Sequence, residues 1–210
     1  MTEKGKRIII YWRHLAVFVL ISCLSPSPEV PAAKIITPAS SPVIASGEIK
    51  IVIWKSHYTL TLYKGNIPFK TYRTVFGKGY RDGDKHIIGD CRTPEGEFYI
   101  CTLNHSKRFY KFMGLSYPSL KHAEYGLRTK LISPGEYQLI KKAIDGHESP
   151  PWDTQLGGAI GIHGITPDAK HPAWNVLARN WTDGCIAMKN EDIDEIFNLV
   201  SIGTPVTILP

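Results

Sequence analysis

From Ile49 onward, apolar and polar residues alternate with the period of two that a half-buried strand requires. IKIVIW (49–54), YTLTLYKG (58–65) and IPFKTYRTVFGKG (67–79) carry the β-branched and aromatic residues of strands, and Lys64-Gly65-Asn66 marks a tight hairpin turn. Gly77, Gly79, Gly83 and Asp84 then punctuate a polar loop, and Thr93-Pro94-Glu95-Gly96 is a turn-forming run leading into a further strand, GEFYICTL (96–103). Over residues 133–146 the signals are helical. Ser133 and Glu136 make a capping-box pair, Pro134 suits the first helical position and Gly146 suits the stop. A second helix opens with Asn190 as cap, lines one face with Ile193, Ile196, Phe197 and Val200, and ends at Gly203. TPVTIL (204–209) closes the chain as a strand, and GGAIGIHGI (157–165) and TDGCIAM (182–188) are two shorter strand-like pieces. Short strands with a few helices between them predict a mainly-β, sandwich-like domain with helical insertions over residues 49–210.

The first 48 residues follow other rules. Lys4, Lys6 and Arg7 form a basic start and LAVFVLIS (15–22) a short apolar core, the pattern of an export signal over residues 1–23. Arg13 and His14 interrupt the apolar run, which falls short of the ~20 residues that span a bilayer. An uncleaved anchor over Ile8 to Cys23 is the competing reading. LISC (20–23) also resembles a bacterial lipobox, in which Cys23 would be lipidated and become the new N-terminus; ordinary cleavage near VPAAK is the alternative. Residues 24–48 are rich in Pro, Ser and Ala and predict a tether. The expected location is therefore outside the cytoplasm, in the periplasm or cell envelope, with membrane association through the N-terminus.

Composition changes this picture little: 43% hydrophobic and 21% charged residues are ordinary for a soluble globular protein. The net charge of +6 raises nucleic-acid binding as a question. Four basic residues against one acid lie in the first twenty-two positions, so removing them lowers the charge by three, to +3, and the remaining charge is scattered. Nucleic acid is not the expected partner. Of the four cysteines, loss or lipidation of Cys23 leaves Cys91, Cys101 and Cys185. A Cys91–Cys101 disulfide stays open, and the odd number leaves one free thiol, with Cys185 the candidate.

Cys185 follows Gly184, and a glycine there lets the chain turn so that consecutive amides point into one pocket. His163 ends an apolar run, where a strand would deliver it to an edge, and the carbonyl of Gly164 is free to hold its other ring nitrogen. A catalytic cysteine needs such a base, and an ion pair with imidazolium would hold the thiolate populated below the ~8.5 of a free thiol. The plainer readings are a small core cysteine and a structural histidine. A zinc site from His163, His171 and Cys185 is a third, although their spacing fits no compact ligand pattern.

IHG followed by TDGCIAM resembles the signature of the bacterial L,D-transpeptidase catalytic domain, the YkuD-like family: His-Gly, then Ser or Thr, any residue, Gly, Cys and an aliphatic residue. RTPEGEFYI (92–100) and NEDIDEIFNLVSIGTPVTIL (190–209) are similar to two further segments of that family, so the resemblance covers roughly residues 49–210. It implies a β-sandwich-like cysteine enzyme of the cell wall that needs neither metal nor organic cofactor. Cys185 would be the nucleophile, His163 the base and the Gly164 carbonyl its orienter. Amides at Gly184 and Cys185 would form the oxyanion hole, with Thr182 supporting the loop and lining the substrate site. The implied substrate is the tetrapeptide stem of peptidoglycan, acylating Cys185 with loss of its terminal D-amino acid before transfer to an amine. Two positions depart from the pattern. Ala187 stands where many members have an arginine thought to meet a substrate carboxylate, and Asp183 stands where histidine is common. GCIA and MGLSYPS (113–119) resemble a branch that also cuts crosslinks or releases wall-attached proteins. The alternatives are a carboxypeptidase or wall amidase that sends the acyl-enzyme to water, and a non-catalytic peptidoglycan-binding lipoprotein.

Overall fold

The computed structural model describes residues 48–165 and 176–210. The expected export segment, Cys23 and all but the last residue of the expected tether lie outside the described residues, as does His171.

The alternation that begins at Ile49 becomes β1 (Ile49–Trp54) and β2 (Thr59–Lys64), paired antiparallel with Ile51 opposite Leu62 and Ile53 opposite Leu60. Because side chains alternate across a strand, these four residues share one face, and none of them is exposed. The hairpin turn at Gly65 (φ +60°) leads into β3 (Ile67–Arg73). β3 is shorter than the expected strand over 67–79, because the chain beyond Arg73 crosses to the far end of the sheet, where Val75 bridges Ala187 and Gly77 bridges Thr182. The closing strand β8 (Pro205–Leu209) lies between β1, which it parallels, and β4 (Gly96–Ser106), which it opposes. β4 is eleven residues long and continues past β8 to pair with β5 (Tyr110–Leu115). Next come β6 (Gly161–His163) and β7 (Ile186–Ala187), giving the order β3-β2-β1-β8-β4-β5-β6-β7.

The Val75 and Gly77 bridges bring the first end of this sheet back to the last, so its two halves curl around one core. Ile51 and Leu62 from one end share a single apolar cluster with Met113, Ile162 and Ile186 from the other. Full burial of each such side chain is worth roughly 1.5–3 kcal/mol. Helix α3 (Asn190–Leu199) seals the cluster with Ile193 and Ile196. Asn190 does not cap α3 as expected. Lys189 holds that position, and the Asn190 side chain is engaged elsewhere.

Two further helices lie outside this core. In α2 (Pro134–Asp145) the capping box forms as expected: the Ser133 hydroxyl accepts from the Glu136 N–H at 3.2 Å, and Glu136 Oε2 accepts from the Ser133 N–H at 2.7 Å. Helix α1 (Leu120–Arg128) carried no comparable signal, since it has no side-chain cap and buries only His122, Ala123 and Gly126.

The polar loop between Gly83 and Glu95 is tied internally by two carboxylates. Asp84 accepts from the amides of Lys85 (2.8 Å) and Glu95 (2.7 Å), from His122 Nε2 (3.1 Å) and from Lys121 Nζ (2.7 Å). Asp90 accepts from Lys85 Nζ (2.6 Å) and from the amides of His86 (2.8 Å), Ile87 (3.1 Å) and Arg92 (3.0 Å). Burial alone would push the Asp84 carboxyl up, but the hydrogen bonds and charges of His122 and Lys121 hold it well below the usual carboxylate range. The loop is thereby a fixed support for whatever packs on it, and the chain around Cys185 does so.

Candidate active site

The sheet brings His163 and Cys185 to one cleft. His163 is the last residue of β6, flanked by Phe112 on β5 and Ala187 on β7, and it is fully buried. β6 and β7 run parallel with Ile162 beside Ile186, so the ladder carries Cys185 level with Gly161. A cleft of about 410 Å³ opens over both residues, walled by Phe109, Trp181, Lys78 and Arg108.

The imidazole is oriented from behind. Its Nδ1–H donates to the Gly164 carbonyl at 2.5 Å, which leaves Nε2 without a proton, and Nε2 has no hydrogen-bond partner among the described residues. Phe109 lies 4.4 Å from the ring, centroid to centroid, and Trp181 meets it edge-on at 5.9 Å. Burial in this aromatic box drives the His163 pKa down to about 4, against the opposing pull of the Gly164 carbonyl and with a further push from Arg108.

The chain carrying Cys185 is held by Thr182. Its hydroxyl donates to the Cys185 carbonyl at 2.7 Å and accepts from the Gly184 N–H at 3.2 Å, closing a tight loop. Gly184 takes φ +135°, and an added Cβ would stand 2.7 Å from the Arg92 carbonyl oxygen. The half-buried thiol donates to the Ala159 carbonyl at 3.5 Å. Burial pushes its pKa up to about 11; the Asp183 charge adds to this, and the Gly161 amide opposes it. Asp183 itself is exposed at the rim, paired with Lys78 Nζ at 2.9 Å and accepting from the Cys91 thiol at 3.6 Å.

The geometry bears on two expectations and on the disulfide that the sequence left open. The Gly184 amide donates to the Thr182 hydroxyl at 3.2 Å, a bond that competes with the oxyanion role expected of it. Burial pushes the Cys185 thiol pKa up and the His163 pKa down, which disfavours the expected thiolate–imidazolium pair. Cys91 and Cys101 are free thiols, Cys101 lying beside Ser149. No three His, Cys, Asp or Glu side chains gather to hold a metal ion among the described residues.

A family model, the YkuD L,D-transpeptidase catalytic domain, matches residues 48–208. The chain belongs to the L,D-transpeptidase catalytic-domain family. Solved structures share the fold of this transpeptidase domain. Bd1075 of Bdellovibrio bacteriovorus is 19% identical with a TM-score of 0.50, over 79% of this chain and 49% of that one. The helical cell shape determining protein Pgp2 of Campylobacter jejuni is 18% identical with a TM-score of 0.50, over 78% of this chain and 47% of that one. This chain thus spans about half the length of the structures it resembles. A search of curated proteins finds no match.

Several residues of the transpeptidase domain's cleft were not singled out from sequence. Phe109, Trp181 and Arg108 reach it from the β4–β5 turn and from the residue before Thr182, and only the fold makes them neighbours. Asn190 carried a signal that pointed to another role. Its side chain accepts from the Ile165 N–H (2.8 Å) and donates to the Ile165 carbonyl (2.9 Å), in the manner of a neighbouring strand, and so clamps the segment just after His163. Asn190→Ala leaves both backbone groups unpaired and is expected to cost about 2 kcal/mol, lowering the melting temperature by about 4–8 °C. Thermal denaturation followed by circular dichroism measures it. Asn190→Asp, which keeps the acceptor and loses the donor, should fall between.

Proposed function

We propose that this chain is an exported L,D-transpeptidase that remodels peptidoglycan through an acyl-enzyme on Cys185. The observation that supports it most is the buried, unpartnered His163 Nε2, which lines the same cleft as a free thiol and is set as an acceptor by the bond from Nδ1 to Gly164. Family membership supports the reaction class. The export reading rests on the basic and apolar residues before Cys23, with lipidation of Cys23 as the membrane anchor.

In this reading the Cys185 thiol leaves the Ala159 carbonyl and passes its proton to His163 Nε2 as sulfur attacks the stem-peptide carbonyl carbon. Because both groups start neutral, proton transfer and attack run together. The Cys185 amide would serve as an oxyanion donor, with Thr182 holding the loop in place. Collapse breaks the C–N bond, and the proton on Nε2 goes to the departing D-amino acid amine. The thioester is then attacked by an acceptor amine, which returns one proton through His163 to restore the thiol and leaves a new amide.

The test is incubation of the full chain with purified tetrapeptide muropeptides, followed by mass spectrometry. Loss of the terminal residue together with a new crosslink between two third residues is the expected result. The same loss without a crosslink would make water the acceptor and the protein a carboxypeptidase. Absence of both product and Cys185 adduct would leave a non-catalytic wall-binding protein.

A further inference from the structure

The family resemblance leaves one task unassigned: Ala187 occupies the position where an arginine is thought to meet a substrate carboxylate. Ala187 is fully buried, paired with His163 on one side and Val75 on the other, so nothing reaches the cleft from there. The cleft walls hold two other cations. Lys78 is committed to Asp183, Nζ to Oδ1 at 2.9 Å. The guanidinium of Arg108 has no carboxylate partner among the described residues and lies over the Phe109 ring, 5.0 Å from its centroid.

We propose that Arg108 is the carboxylate anchor of this cleft, holding the free C-terminal carboxylate of the acyl donor beside Cys185. The inference rests on the transpeptidase reading for the identity of that donor. The geometry gives it three supports. First, the turn that presents Arg108 is fixed, since the Ser106 hydroxyl accepts from the amides of both Arg108 (3.3 Å) and Phe109 (3.1 Å). Second, the guanidinium stacks on the ring that itself packs on His163, which ties the cation to the base. Third, its charge acts on Cys185, His163 and Asp183 alike, so it lies within electrostatic reach of the reacting centre. A C-terminal carboxylate sits one residue, about 3.8 Å of chain, beyond the carbonyl that sulfur attacks. The planar fork of arginine matches a carboxylate in two hydrogen bonds, which a lysine cannot reproduce. Recognition thus comes from the β4–β5 turn, and the strand after the nucleophile is left to pack.

The test uses the full chain and two reagents that differ by one charge. Iodoacetate carries its carboxylate one bond from the carbon that sulfur attacks, and iodoacetamide is its neutral counterpart. Their rate ratio at Cys185, resolved from Cys91 and Cys101 by peptide mass spectrometry and normalised to a cysteine peptide, cancels the thiolate fraction. We expect a ratio of about 10 in the wild type, about 1 in Arg108→Ala and an intermediate value in Arg108→Lys, compressed by salt in each case. A ratio unchanged in Arg108→Ala overturns the proposal. A second arm compares tetrapeptides ending in a free acid or a carboxamide, where the preference for the acid in KM should fall about tenfold in Arg108→Ala. If iodoacetate selectivity depends on Arg108 while neither peptide is turned over, the anchor stands and the peptidoglycan reading falls. If the acid peptide is turned over with KM indifferent to Arg108, the reading stands and the anchor falls.

Discussion

Alkylation of Cys185 by iodoacetamide at pH 7 is expected to run about two orders of magnitude slower than alkylation of an unburied cysteine. Burial holds the thiol pKa up to about 11, so the thiolate fraction at pH 7 is about one in ten thousand, against about 3% for a free cysteine with a pKa of ~8.5. The rate should rise through alkaline pH without a plateau near neutrality. Turnover should follow a different curve. His163 must be unprotonated to accept the thiol proton, and burial has lowered its pKa to about 4. The base form is present above that value and lost below it, so half the rate disappears near pH 4. A neutral pair needs no imidazolium at rest, and no alkaline limb should appear where a thiolate–imidazolium pair would lose its proton. His163→Gln is expected to slow acyl transfer by about 10²–10⁴-fold and to remove the acid limb. Release of the terminal D-amino acid, measured from pH 3 to 10, supplies the profile. Thiolate absorbance at neutral pH, or an alkylation plateau extending down from pH 8, would establish the ion pair instead.

That pH behaviour is the part of the site the sequence could not carry. Residue types marked Cys185, His163 and the Gly164 carbonyl as candidates, and the family resemblance gave them the roles of nucleophile, base and orienter. Protonation is set by how deep the cleft lies, and depth comes from Phe109 and Phe112 around the start of β5 meeting Trp181, about seventy residues on, over the imidazole. The same divide runs through the fold. Helix α2 was legible because Ser133, Pro134, Glu136 and Gly146 specify its ends locally. Strands β1 and β2 were legible because each buries one face only. Helix α1 was not, since its inner face is a histidine, an alanine and a glycine, with Gly126 fitted against Ile132 and against Leu156, thirty residues further along the chain. β5 was missed for a related reason: with its last four residues in a row all buried, YKFMGL shows little alternation. Asn190 was read as a helix cap because its local sequence suits one, whereas a backbone twenty-five residues away claims its side chain.

Gly184→Ala is expected to cost roughly 2–6 kcal/mol of stability and to lower the melting temperature by about 4–24 °C, combining a strained backbone of about 1–3 kcal/mol with overpacking of about 1–3 kcal/mol. The backbone sits at φ +135°, which disfavours any side chain, and the new methyl would meet the Arg92 carbonyl oxygen at 2.7 Å and Ile160 Cδ1 at 2.9 Å. Neither neighbour has room to retreat. The Arg92 N–H is fastened to Asp90 at 3.0 Å, inside the loop that Asp84 and Asp90 organise. Ile160 is buried in the central core, one residue before β6. The strain must therefore fall on the loop that Thr182 closes, which carries Cys185. A displacement of that sulfur by about 1 Å would slow turnover on the order of 10²-fold. Gly203→Ala separates the two causes, for Gly203 also has a positive φ, +92°, but an added Cβ there meets nothing within 4 Å. It should lose only the backbone share, about 1–3 kcal/mol, and keep full activity. Calorimetric melting of the two variants, with acyl transfer measured on each, makes the comparison. Equal losses in both would mean that the Arg92 side of the loop gives way, and that the support beneath Cys185 is softer than its hydrogen bonds imply.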